Sequence, residues 1–270
     1  MAKLRIRDSL MTLSTVWQRS VVDAVMNPRR FRKVMPEFRK VSDMLVHPGI
    51  GSLDVGDLPA VADPVQLLSL TSVYGVMPAQ DLYALLRVVR SLQPKRIFEI
   101  GTFRGVTTAH MALNSNAEIF TLDMPRDMGA GLEGYTESDR ALLQTRENIG
   151  LAYRPFNSSG RIHQLFGDSR TFDYAPYCGS MDLVLVDACH LFDYVMSDSR
   201  NAFRLLNERG IILWHDFGSG REVVRALQVL AEEYAIAHVE GTAIALHCRG
   251  LSLSDPDASN RVKDLNREVA

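Results

Sequence analysis

Seven polar residues fall where an α/β chain would bring its strands to an end. Glu99, Asp123, Asp168, Asp187, His190, His215 and Asp216 each close, or soon follow, a short apolar run. Carboxylates in such places can hold a hard cation or accept hydrogen bonds from hydroxyls, and a histidine titrates near neutrality and can take a proton. Two spacings carry this chemistry, Asp187-x-x-His190 and the adjacent pair His215-Asp216. A third pattern, Glu99-x-Gly101-x-x-x-Gly105, sets an acid before a glycine-bounded turn at which backbone can approach a ligand. Glu99 and Asp123, at successive strand tips, suit a ligand carrying ribose hydroxyls. A dinucleotide fingerprint would read G-x-G-x-x-G, with the middle glycine stripped back for pyrophosphate. Here Thr102 and Phe103 fill the turn and Glu99 would repel a phosphate.

The elements that must position these groups are legible from the apolar pattern. Arg96 to Asp123 reads as a βαβ unit: strand Ile97–Ile100, helix from Val106 to about Asn114, and strand Ile119–Leu122. A helix from Pro78 to about Leu92 precedes it, with Leu82, Leu85, Leu86 and Val89 on one face, and Pro94 stops it. Residues 161–166 predict a third strand, and Leu183–Val186 and Ile211–Trp214 are near-continuous apolar runs suited to a parallel sheet covered on both faces. A helix over about 192–206 joins them, with Glu208-Arg209-Gly210 as the turn. After Asp216 the pattern predicts a helix over 221–234 and two closing strands, 235–239 and 242–247. Helices are also predicted over 8–27, 65–76 and 137–150. Asp193 and Asp198 read as acids favoured by the start of their helix.

Residues 47–64, rich in Gly, Pro and Asp, read as a loop or linker. The expected organisation is a helical N-terminal extension over 1–76, a catalytic domain over 77–249 and a polar tail over 250–270. Within residues 1–40, ten Lys or Arg stand against Asp8, Asp23 and Glu37, a formal +7. This reads as a solvated face on a packing or dimerising helix, with an anionic membrane surface, an acidic partner or a phosphorylated substrate as the alternatives. Across all 270 residues the net charge is only −2, which argues against a generic nucleic-acid binder. Cys178, Cys189 and Cys248 show neither metal-ligand spacing nor a disulfide framework, and no apolar run reaches the length of a membrane span. The expectation is a cytoplasmic homo-oligomer.

The Glu99-x-Gly101-x-x-x-Gly105 stretch resembles the first motif of the class I S-adenosylmethionine-dependent methyltransferases. Residues 80–250 resemble, more narrowly, the metal-assisted O-methyltransferases of natural-product sugars, whose fourth and fifth strands end in D-x-x-H and H-D. The resemblance implies a Rossmann-like sheet of seven mostly parallel strands with helices on both faces. It implies that Glu99 sits near the cofactor's amino group, that the turn Gly101, Thr102 to Gly105 passes under its methionine portion, and that Asp123 holds the ribose. Asp168 either contacts the adenine or caps a helix that follows it, and Tyr74 either folds over the cleft or simply packs. Asp187 and Asp216 are implied as ligands of magnesium or manganese, with His215 as the doubtful third, and His190 as general base. The acceptor implied is a hydroxyl of a small molecule. A non-catalytic scaffold and a nicotinamide-dependent oxidoreductase are the alternatives.

Overall fold

The computed structural model describes residues 49–58, 61, 64–68, 76–125, 140, 148–218 and 220–249. Its frame is one sheet of eight strands: β1 (Ile50–Leu53), β2 (Arg96–Ile100), β3 (Glu118–Asp123), β4 (Ile162–Phe166), β5 (Met181–Val186), β6 (Leu206–Trp214), β7 (Ile236–Val239) and β8 (Ala245–Cys248). Their order is β1-β7-β8-β6-β5-β2-β3-β4. Only β8 runs against its neighbours, β6 and β7; all other pairings are parallel.

Successive side chains of a strand point to opposite faces, so a strand buried on both sides must be apolar throughout. In β5, Leu183 and Leu185 enter one core while Val184 and Val186 enter the other. The first core is closed by α1 (Ala79–Leu92) and α2 (Val106–Asn114) through Leu82, Leu86, Val89 and Met111. The second is closed by α3 (Phe192–Leu205) and α4 (Arg221–Leu230) through Val195, Phe203, Val223 and Leu227. Pro78 stands at the N-cap of α1, and Gln93 ends it in a left-handed conformation before Pro94.

Three expectations are corrected. The stretch expected to be a linker contributes β1, which adds an eighth strand beside β7 in the register Ile50↔Ile236 to Leu53↔Val239. Glu208-Arg209-Gly210 forms no turn between α3 and a later strand, because β6 already begins at Leu206. Pairing with β5 instead jumps from Met181↔Leu206 to Leu183↔Ile211, so the polar residues bulge within the strand. The guanidinium of Arg249 secures that bulge by donating to the carbonyls of Phe203 and Leu206. Residues 64–68 are not helical. The helix expected over 8–27, the basic segment, Tyr74, nearly all of 126–147 and the tail from 250 lie outside the described residues. Among the described residues no helix is long and apolar enough to cross a membrane.

Candidate functional site

The strand order sets the carboxyl ends of β6, β5, β2, β3 and β4 side by side. Ladder hydrogen bonds continue to the tips: His215 N–H donates to Val186 O, Asp187 N–H to Ile100 O, Gly101 N–H to Leu122 O, and Gly167 N–H to Asp123 O. The predicted polar residues therefore share one rim.

At its centre the tips of β2 and β5 touch. Gly101 has φ +107°, and a Cβ built on it would lie 1.9 Å from the carbonyl oxygen of Asp187. No other residue fits there. Gly105, at φ +75°, ends the turn as the N-cap of α2, and a Cβ on it would come within 2.6 Å of the Tyr153 ring. Asp123 ties the turn down by accepting from Phe103 N–H at 2.6 Å and from Met124 N–H at 2.7 Å. Thr102 is turned inward: its hydroxyl meets Thr121 Oγ1 at 2.7 Å and receives Gln164 Nε2 at 3.0 Å. Its side chain thus belongs to the sheet, and only its backbone belongs to the turn.

Glu99 is 1% exposed. Its Oε2 accepts from the hydroxyls of Thr108 and Thr121, but its buried Oε1 has no hydrogen-bond partner. Burial pushes the carboxyl up to about 8, the two threonines oppose this, and the charges of Asp187 and Asp123 add to it. A buried acceptor left without a donor beside a glycine turn is a fitting place for an ammonium group.

On the other side of the contact, Asp187, His190, His215 and Asp216 come together. His215 Nδ1 lies 3.0 Å from Asp187 Oδ1 and 3.1 Å from Asp216 Oδ2, and its Nε2 lies 3.1 Å from Asp81 Oδ2. Carboxylates only accept, so both ring nitrogens donate and the ring is an imidazolium. Burial alone would lower its pKa; Asp187 foremost, with Asp216 and Asp81, raises it to about 12. His190 Nε2 donates to Asp216 Oδ2 at 2.7 Å. Burial disfavours the charge on Asp216, but hydrogen bonds from His190 and His215 and the charge on His215 hold it far below the usual carboxylate range. Asp216 also sits at φ +61°, a conformation Asp tolerates better than most residues.

Asp187, His215 and Asp216 each offer one ligand atom, all within 4.8 Å of one another. The two carboxylates fit a hard cation. His215 would have to give up a proton to join them.

Asp168 opens a turn, accepting from Arg170 N–H at 2.9 Å through its side chain and from Thr171 and Phe172 N–H through its carbonyl. Tyr194 OH reaches its other oxygen at 3.4 Å. One acid, Asp81, escaped the sequence reading, and a second, Asp198, is not the helix-start acid expected. Asp81, in the first turn of α1, is 1% exposed and holds His215. Asp198 is fully buried on α3 rather than lying along its exposed start, and neither of its oxygens has a hydrogen-bond partner. No local sequence signal separates either from an ordinary acid on a helix surface, since what buries them comes from elsewhere in the chain.

A family model described as a methyltransferase domain matches residues 98–217, from β2 to just past β6. No curated protein matches the chain. Among solved structures, the chain is similar to a caffeoyl-CoA O-methyltransferase candidate from Staphylococcus aureus, with TM-score 0.50, 15% identity, 65% of this chain and 85% of that one. It is also similar to the O-methyltransferase TomG of Streptomyces achromogenes, involved in tomaymycin synthesis and solved with SAM, at TM-score 0.46, 17% identity, 65% of this chain and 82% of that one. A third is the SAH-bound methyltransferase PaMTH1 of Podospora anserina, at TM-score 0.46, 18% identity, 66% and 81%. At such identities the likeness is one of fold. The sheet, mostly parallel and flanked by helices, is a Rossmann-like methyltransferase fold.

Proposed function

We propose that this protein transfers a methyl group from S-adenosylmethionine to a hydroxyl of a small molecule, a glycoside or other secondary metabolite. One observation carries the reading: the contact between Gly101 and Asp187 joins the turn suited to the cofactor directly to the His–Asp cluster suited to activating a hydroxyl. Glu99, through its unpartnered oxygen, would receive the cofactor's ammonium group, the Gly101–Gly105 turn would lie under its methionine portion, and Asp123 would hold its ribose. Asp168 stands at the rim position suited to the adenine.

S-adenosylmethionine supplies an electrophilic sulfonium methyl. An alcohol's pKa lies far above neutrality, so its oxygen needs help in losing a proton. His190, held through Nε2 by Asp216, would take that proton as the acceptor oxygen gains the methyl, with the bound cofactor supplying the methyl and keeping the bonding pair on its sulfur. Asp216 stabilises the imidazolium that results. Asp187 and Asp216, with His215, would hold a divalent cation, magnesium or manganese, which supplies further polarisation of the hydroxyl. Alignment of oxygen and methyl by the rim lowers the remaining barrier.

The test is calorimetric titration of S-adenosylhomocysteine, with and without magnesium, followed by an acceptor screen. Binding with turnover is expected, and no binding would remove the reading. His190→Ala should abolish turnover with cofactor affinity intact; full activity in that variant would remove the base. Loss of turnover in chelator, restored by magnesium, is expected, and an unchanged rate would remove the metal.

A further inference from the structure

Asp81 lies outside the segment matched by the family model, on a helix that precedes the first strand of the βαβ unit. An acid in the first turn of a helix ordinarily faces solvent and favours the helix dipole. Asp81 does neither of the usual things: it is 1% exposed, and its oxygens reach residues more than a hundred positions away. Its Oδ1 accepts from Ala243 N–H at 2.9 Å and its Oδ2 from His215 Nε2–H at 3.1 Å. Burying a polar side chain is costly unless its atoms are hydrogen-bonded, and here both oxygens meet donors.

The consequence is geometric. An imidazole anchored at Nε2 can only pivot about that bond, so Asp81 decides where Nδ1 points. Nδ1 then spans Asp187 and Asp216, and Asp216 Oδ2 in turn receives His190. The same acid secures the far end of the chain of contacts. Ala243, whose N–H it binds, offers its carbonyl to Phe217 N–H at 3.0 Å, directly after Asp216 in its left-handed conformation. Side chain and backbone of residues 215–217 are thus both referred to one carboxylate on α1.

We propose that Asp81 is a positioning residue: through His215 and Ala243 it sets the stance of Asp216, and so the orientation of His190 towards the acceptor. Its consequence for turnover rests on the methyltransferase reading above; the contact itself does not.

Two measurements test it. In a double-mutant cycle, Asp81→Asn should lower kcat by about ten- to a hundredfold, as loss of an outer hydrogen-bonding partner does in comparable sites, with S-adenosylhomocysteine affinity unchanged. In a His215→Ala background the same substitution should change kcat by less than about twofold, since the asparagine oxygen still accepts from Ala243 N–H and the arm through His215 is already gone. Additive penalties would overturn the proposal and leave Asp81 a stabiliser of the fold. The second measurement needs no turnover: the ring N–H resonances of His215 in 15N-labelled protein. A low-field, slowly exchanging Nε2–H proton in the unaltered protein, lost in Asp81→Asn, is expected; its absence from the unaltered protein overturns the proposal. If that proton is present but no acceptor is ever methylated, the functional reading falls and the positioning contact stands.

Discussion

Binding of the cofactor should expel a proton, and Glu99 is the group that should lose it. Burial raises this carboxyl to about 8 in the unliganded protein, so at pH 7 it is about nine-tenths protonated. A cationic ammonium placed at the unpartnered Oε1 favours the ionised form, so binding at pH 7 must first ionise Glu99. One pH unit below that pKa costs about 1.4 kcal/mol, a factor of about ten in affinity. The affinity of S-adenosylhomocysteine, which keeps the same amino group, should therefore rise about tenfold per unit up to pH 8 and then level off. Calorimetry at pH 6.5 in two buffers of different ionisation enthalpy reads the released proton directly, and close to one per ligand is expected. Glu99→Gln keeps an acceptor for Thr108 and Thr121 but has no proton to lose, so the buffer dependence should vanish and affinity should become flat with pH. The comparison with the glutamine variant separates this proton from any released elsewhere in the protein. If both proteins release the same number of protons, Glu99 does not face the ammonium group and its assignment is wrong.

Two stability predictions follow from buried groups. Burial pushes Asp198 from an ordinary value of 3.8 up to about 7; the Ser169 hydroxyl offsets this in part without reaching hydrogen-bonding geometry. Between those two values the folded protein holds a proton that the unfolded chain has released, so stability falls as pH rises through that window and is level above it. Asp198→Asn should be nearly neutral at pH 4 and stabilising at pH 8 by on the order of 4 kcal/mol, read from urea midpoints at both pH values. An equal difference at the two would refute the buried acid. Gly101→Ala forces a methyl group to within 1.9 Å of a carbonyl oxygen at φ +107°. It should cost more than about 3 kcal/mol in thermal unfolding and remove S-adenosylhomocysteine binding; a variant with near-normal stability would mean that the β2 and β5 tips are not locked together.

What was legible in the sequence depended on how far each residue's partners lie from it. The unit from β2 to β3 was readable because its signals are local. Each strand is built on a short apolar run, Ile97-Phe98 and Ile119-Phe120, and Gly105 marks the entrance to α2 at the place where a left-handed residue is needed. The rim residues were readable because a parallel sheet places every strand end on the same side, so identifying the strands also identified the rim. β1 was not readable. Four residues, Ile-Gly-Ser-Leu, between glycine- and proline-rich flanks have no strand signal of their own, and their hydrogen-bonding partner β7 begins at Ile236. The bulge in β6 failed for the same reason, since Glu-Arg-Gly reads as a turn until Arg249 is seen holding the carbonyls around it.

Asp81 and Asp198 make the same point with charge. Helical spacing can assign either acid to a helix, but it cannot tell a solvated carboxylate from a buried one. That distinction is decided by what a distant segment brings to the same place. At Asp81 the segments after β6 and before β8 bring two donors, one to each oxygen. At Asp198 no donor reaches hydrogen-bonding geometry, and burial, opposed by Ser169 and Arg170 and aided by the charge of Asp168, pushes the carboxyl up to about 7. Asp81 stands in the first turn of α1 and Asp198 further along α3, and only Asp81 meets donors, so only Asp81 can serve to orient His215.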